Sequence, residues 1–316
     1  MAVTAQIGTV FVVNWSFEQW MKVSGLLESY AAMMALGLVL GLVTGGLPAY
    51  TKEVSMASLV VLMTLSLSSV KLGEARGKEP LRHALICLGI NYGILTGLIV
   101  AMAFLFSDEY RWGWILMAAA PSAVSVVPFT TVLGGETVKS LFSTAANYIA
   151  ALALMPLLTW LLIGSDVSSE SLIYSLLLLI VLPMVASRAM MRLRIEKSLN
   201  TSFMNLSFAL LIFAVTGSNR DAFLGEPMLI LIMSLACIVR TFGIGLGTEG
   251  ILRRFGVPKA SRVTYVLFAS YKNLGLTVTL AIALFVPLVA VPATICIVFE
   301  VVWMIFLLRY YPKAPG

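Results

Sequence analysis

The 316-residue sequence predicts an all-helical integral membrane protein of about ten transmembrane helices, on three observations. Hydrophobic residues make up 60% of the chain and charged residues 11%, with a mean hydropathy of +0.98, which excludes a water-soluble domain of this length. Apolar runs of about 20 residues, the length a helix needs to cross the hydrocarbon core, recur throughout. The period-two alternation of a membrane barrel is absent from stretches such as LIYSLLLLIVLPMVA.

In chain order the expected spans fall at 30–48, 54–72, 82–107, 112–133, 138–164, 171–188, 202–217, 227–247, 262–285 and 287–309. The stretch IGTVFVV at 7–13 is too short to span and reads as an interfacial arm. No basic region precedes it, and Asn14, Glu18 and Lys22 follow at once, so it does not read as a signal peptide.

Charge gives the orientation, because Lys and Arg accumulate in cytoplasmic loops. Three loops on one face are basic: Lys71, Arg76, Lys78 and Arg82; Arg188, Arg192, Arg194 and Lys197; Arg253, Arg254, Lys259 and Arg262. The other face balances its charges, with Lys52 beside Glu53 and Arg220 beside Asp221. Both termini are therefore expected in the cytoplasm, in a multi-pass protein of the cell (inner or plasma) membrane. The net charge of +6 follows from this asymmetry and faces anionic lipid, with no nucleic-acid partner implied.

The three cysteines, Cys87, Cys237 and Cys296, lie singly in apolar spans with no metal-ligand or disulfide spacing, and read as core. The one histidine, His83, lies at a helix start, where a solvated or interfacial side chain is expected. No cofactor is expected.

The polar stretch IGSDVSSES divides the chain into 1–165 and 166–316 with five spans each. An odd number of crossings per half means that any repeat is an inverted one, a transporter's geometry. Spans four and nine occupy corresponding positions, and both carry interruptions. The fourth contains APSAVSVVP, with Pro121 and Pro128 around Ser122 and Ser125 and with Thr130 just beyond; the ninth contains Lys272, Asn273 and Gly275. Proline removes an amide donor, so unpaired backbone groups become available in mid-membrane to hold an ion or an anion. These residues, with Asn147 of the fifth span, are the expected substrate contacts.

Counting about 1.5 Å per helical residue from the nearest face puts Lys272, Asn91, Asn147 and Glu300 in one layer near the bilayer midplane. Charges there cost a few kcal/mol each, so they normally face protein or a water-filled cavity. Lys272 and Glu300 stand out as a pair. They read either as a salt bridge tying span nine to span ten or as an amine and a carboxylate able to carry a proton or hold an anionic substrate. Arg240, nearer the end of its span, is expected to snorkel.

The stretch MAAAPSAVSVVPFTTVLGGETVKSLFST, 117–144, resembles the fourth and fifth helices of the bile acid:sodium symporter family, and YKNLGLTVTLAIALF, 271–285, resembles its ninth. The order of spans and the break positions fit over nearly the whole chain. The resemblance implies that spans four and nine cross at their breaks. It also implies a core of helices three, four, five, eight, nine and ten, a panel of the other four, and substrate between them.

Carried over residue by residue, the family's sodium ligands match Ser140 and Thr144 in the fifth helix, stand near Asn91 in the third, and match Asn273 at the crossover. The family's acidic ligand is missing, however, since Phe268 stands in its place, and Lys272 replaces the crossover glutamine. Val126 and Val127 replace a Ser-Asn pair. Sodium prefers several hard oxygens, so a site that loses a carboxylate and gains an ammonium holds it poorly.

The expected function is thus secondary transport of a small or amphipathic organic anion, sodium-independent or proton-linked, with Lys272 in place of bound sodium. The half-helix N-termini together with Lys272 would supply positive potential for the anion. Sodium-coupled symport of bile-acid-like anions is the alternative. Glu300 resembles a glutamate in the last helix of the arsenite permeases, but Ser122 and Ala123 stand where those carry a cysteine. The His-Glu-x-x-His, Gly-x-Ser-x-Gly and P-loop patterns are absent, which argues against an enzyme. An intramembrane transferase and a channel or receptor are the remaining competitors, and a saturable, counterion-dependent flux would separate transport from all of these.

Overall fold

The computed structural model describes residues 25–68, 78–164, 169–193 and 195–311. The expected interfacial arm at 7–13, together with Lys71, Arg76, Asp166 and Arg194, lies outside these residues. Among the described residues there is helix and no strand. The first half runs through α1 (Tyr30–Thr44), α2 (Thr51–Ser68), α3 (Leu81–Ala103), α4 (Asp108–Ala119), α5 (Val126–Val132) and α6 (Thr137–Ile163). The second continues through α7 (Glu170–Leu193), α8 (Lys197–Ser218), α9 (Arg220–Gly225), α10 (Pro227–Arg254), α11 (Lys259–Ser270), α12 (Leu274–Leu284) and α13 (Val291–Tyr310).

Among the described residues, seven segments are long and apolar enough to cross a membrane: α3, α6, α7, α8, α10, the α11–α12 stretch and 287–310. The ten spans expected from the sequence differ at the first, second and fourth. There α1 has 15 residues, α2 opens on the charged Lys52 and Glu53, and the fourth is divided into α4 and α5.

Two groups of helices pack separately. The first is built on α8, which lies along α1 and α2, with α7 along α2. In the second, α3 packs on α4 and α6, and α10 packs on α11 and α13. The two meet where α12 reaches α2 and α7, where α6 touches α7, and where α8 reaches α12 and α13. Among the described residues, three helices carry a π turn, at Gly89–Leu95 in α3, Leu177–Val181 in α7 and Val239–Gly243 in α10. Such turns interrupt the regular ladder and free backbone groups within a continuous helix.

The α1–α8 seam depends on missing side chains. A Cβ added at Gly37 would lie 2.4 Å from the Ala209 carbonyl oxygen, and one at Gly41 2.8 Å from that of Phe213. Backbone cannot retreat as a flexible side chain does, so Gly37→Val should force α1 away from α8. Overpacking of this kind costs about 1–3 kcal/mol or more. The midpoint of thermal unfolding in detergent should fall by several degrees, whereas Gly97→Ala, with nothing within 4 Å, should leave it unchanged.

Candidate functional site

The two interruptions lie against each other. Pro121 opens the first, because proline excludes the residue before it from helix, and Ala120 is extended with ψ 149°. Pro128 breaks nothing: it sits in the first turn of α5, where its missing N–H costs no hydrogen bond, and it is exposed. The second interruption has no proline. Tyr271 is extended, and Asn273 caps α12, its Oδ1 accepting from the Leu276 amide at 3.0 Å. The Asn273 amide donates to the Pro121 carbonyl at 2.7 Å and stitches one break to the other.

Lys272 is fully buried at this junction. Its Nζ lies within hydrogen-bond reach of four oxygens, Asn91 Oδ1 at 3.0 Å, Thr96 Oγ1 at 2.9 Å, Ala118 O at 2.9 Å and Ala120 O at 2.8 Å, among which its three N–H groups are shared, and 4.6 Å from the centre of the Tyr92 ring. The two carbonyls belong to the end of α4, where a helix leaves its last C=O groups unpaired and its dipole negative. Asn91 in the π turn of α3 and Thr96 just after it supply the other two oxygens, and Asn91 is fixed by donating to Phe268 O at 3.0 Å and Tyr271 O at 3.3 Å. The ammonium therefore neutralises the negative end of α4. This corrects the expectation that it adds to a positive potential offered to an anion.

The expected pairing of Lys272 with Glu300 is also corrected. Glu300 Oε1 accepts from Arg240 Nη1 at 2.6 Å, and from Lys272 only the backbone amide reaches it, at 3.2 Å. Arg240 does not snorkel: it is fully buried in the π turn of α10, with Nε and Nη2 unpartnered among the described residues. Buried charge is tolerated here because it is paired, and the partner is Arg240.

The other expected residues spread over the same region. Asn273 Nδ2 donates to the Tyr148 hydroxyl at 2.6 Å, and Thr130 Oγ1 donates to Ser140 Oγ at 3.0 Å. Ser122 Oγ, Thr144 Oγ1 and Asn147 Oδ1 are buried with no partner among the described residues. Ser125 precedes α5 and is partly exposed. Gly275 faces α2, where an added Cβ would lie 3.2 Å from Leu59 Cδ1.

Two clefts run along the seam between the helix groups. One lies between Leu67, Met184 and Arg188 on one wall and Val127, Thr144 and Tyr148 on the other. A second is bordered by Lys52, Met56, Glu170, Tyr174 and Leu284. Along α2 they are about 16 Å apart, with the buried Leu59 and Met63 between them. Among the expected substrate contacts, Pro121, Ser122, Ser125, Pro128, Thr130, Asn147, Asn273 and Gly275, none lines either cleft. Arg188 and Tyr148 do, and neither was expected; the only signal in the sequence is a cation that the positive loop count absorbs.

His83 is partly buried rather than fully solvated, 2.7 Å from the Tyr265 hydroxyl and 3.9 Å from Glu136. Glu136, in the turn before α6, is pushed up by burial, but donation from Lys139 and Ser261 outweighs this and holds its carboxyl below the usual range. A depressed carboxyl contributes its stability above its unfolded value and loses it as pH falls through the folded one, so this turn loosens in acid. All three cysteines are buried and free.

Residues 53–224, more than half of the chain, match the family model described as Sodium Bile acid symporter family. The match contains Pro121, Ser140, Thr144 and Arg188, and ends before Arg240, Lys272 and Glu300. No curated protein matches the chain.

Proposed function

The chain belongs to the sodium bile acid symporter family, a family of multi-pass transporters, and from that premise we propose that it moves a small or amphipathic organic anion by alternating access without sodium. The ammonium of Lys272 takes the place of the coupling cation. The observation that carries this reading is the shell of four oxygens closed around Lys272 Nζ where the breaks meet. A sodium ion needs such a shell of hard oxygens, and here a covalently attached cation fills it.

In this reading ten spans form two inverted halves, 1–165 and 166–316, with α4–α5 and α11–α12 as the crossing pair. The two halves support it by position: in each, a helix with a π turn, α3 or α10, precedes the broken one. The basic loops favour a cytoplasmic position for both termini in a cell membrane. The panel of α1, α2, α7 and α8 moves against the remaining helices, opening the clefts at its two ends in turn, and the packing of Leu59 against Gly275 closes the path between them.

Uptake into proteoliposomes should survive replacement of sodium by choline and should change with pH, since an amine held in the protein interior can exchange its proton. Lys272→Gln should remove that pH response. A collapse of wild-type uptake without sodium sinks this reading and favours sodium-coupled symport, for which the unpartnered oxygens of Ser122, Thr144 and Asn147 supply candidate ligands.

A further inference from the structure

Where α12 crosses α2 the two helices run antiparallel, in a register fixed at both ends. At one end Lys52 Nζ donates to the Ala283 carbonyl at 2.8 Å, and at the other a Cβ on Gly275 would lie 3.2 Å from Leu59 Cδ1. Ser55 and Thr279 fall between them. Residues three or four apart share a helix face, so Ser55 lies on the face of Lys52 and Leu59, and Thr279 on that of Gly275 and Ala283. Both side chains are fully buried, and neither hydroxyl has a partner among the described residues. Thr277, in the same helix, shows the usual solution, donating to the Asn273 carbonyl four residues back at 3.0 Å. An unpaired buried hydroxyl is costly, and here two of them belong to the seam that the motion of the panel opens.

Between this pair and the ends of the helices lies the cleft of about 950 Å³, bordered by the apolar Met56, Ile173, Leu177 and Leu284 and by two charged side chains, Lys52 and Glu170. Lys52 is exposed. Its hydrogen bond reaches from the panel to the last turn of α12, where unpaired carbonyls make the helix end negative. It is a latch across the seam, made with a neutral acceptor.

We propose that Lys52, Ser55 and Thr279 form a binding station for an organic monoanion, a carboxylate or sulfonate, at the mouth of the path that Leu59 and Gly275 close. It rests on the transport reading above and locates the site within it. An anionic oxygen is a stronger acceptor than a carbonyl, so it draws the ammonium off Ala283, and the panel loses the hydrogen bond that pins it to α12. The seam then parts from the mouth inward. Ser55 on one wall and Thr279 on the other donate to the anion, and both hydroxyls gain the partner they lack. The hydrocarbon part of the ligand rests on Met56, Ile173 and Leu177. Glu170 opposes a second negative charge in the same cleft, which restricts the station to monoanions.

The test uses two thiol reagents of opposite charge, methanethiosulfonate ethylsulfonate and methanethiosulfonate ethyltrimethylammonium, on the purified full chain in detergent and choline buffer. Each forms a mixed disulfide with a cysteine and releases methanesulfinate. The variants are Ser55→Cys and Thr279→Cys, with Phe255→Cys as a reference at a position 79% exposed and the wild type, whose three cysteines are buried, as background. Both seam cysteines should react, more slowly than the reference, and their anion-to-cation rate ratio should exceed the reference ratio by about tenfold. The rate with the anion should saturate as its concentration rises, the mark of binding before reaction, and the rate with the cation should stay linear. Adding Lys52→Gln should remove both the excess and the saturation, Lys52→Arg should keep them, and Glu170→Gln should raise the ratio. Thermal midpoints show that each variant is folded. Seam cysteines inert to both reagents in a folded protein, or a saturating anion preference that survives Lys52→Gln, would overturn the proposal. Repeating the reaction in sodium separates the two readings: charge-selective, saturating labelling that appears only with sodium defeats the sodium-free reading alone. Labelling indifferent to sodium and without charge preference defeats this one alone.

Discussion

Lys272→Met should abolish uptake and lower stability sharply, although methionine is close to lysine in length and apolar character. The thioether donates nothing, so the oxygens that now receive the ammonium turn toward a group that cannot answer them. Ala118 O keeps the Thr96 hydroxyl as a donor at 2.7 Å, but Asn91 Oδ1 and Ala120 O are left bare. Each orphaned buried acceptor costs about 1–3 kcal/mol, and α4 loses the cation at its negative end as well. Lys272→Ala removes the same charge but leaves room among the same oxygens. If the ammonium does stand where a coupling cation would bind, this variant should regain thermal stability with sodium and not with choline, while the wild type responds to neither. Unfolding curves of the two variants in the two salts decide the matter, and sodium-blind stability in Lys272→Ala would count against the substitution idea.

That Lys272 mattered was legible because a lysine inside an apolar run is conspicuous, but what it touches was not. Two of its four acceptors are backbone carbonyls at the end of α4, which have no side-chain identity to read. Glu300 looked like the natural partner because it was the other charge at similar depth. Counting residues from the end of the span puts Arg240 within snorkelling reach only where the helix is regular. The π turn at Val239–Gly243 makes it irregular, and one extra residue rotates the remainder of the helix by about 100°. Breaks were easier to see, since Pro121 and Asn273 have local reasons to end and begin helices. Pro128 misled because a proline in a first turn does no harm. Arg188 illustrates a different limit. The expected span 171–188 ends on it and its charge fits the basic loops, so nothing in the sequence places it across a cleft from Tyr148.

Arg240→Met should be as damaging as any change at Lys272, for the opposite electrostatic reason. It leaves the Glu300 carboxylate at the protein interior with the Lys272 amide and no cation in contact, and breaking a buried ion pair by removing one member costs about 3–5 kcal/mol. Glu300→Gln is milder at the acceptor, because an amide oxygen can still receive from Arg240 Nη1 and the Lys272 amide. It strands the guanidinium charge, however, whose Nε and Nη2 already lack partners among the described residues. Removing both charges together, as Arg240→Met with Glu300→Gln, should recover much of the stability that either single change loses, since neither partner is then left as an isolated ion. Unfolding midpoints of the four proteins close a double-mutant cycle, and simple additivity would show that the contact carries no coupling energy. The recovered double variant then assigns the proton. If it transports with the wild-type pH profile, the ion pair is scaffolding between α10 and α13 and the titrating group is elsewhere, with Lys272 the first candidate. If it transports and the pH response is gone, the Glu300 carboxylate takes part in coupling.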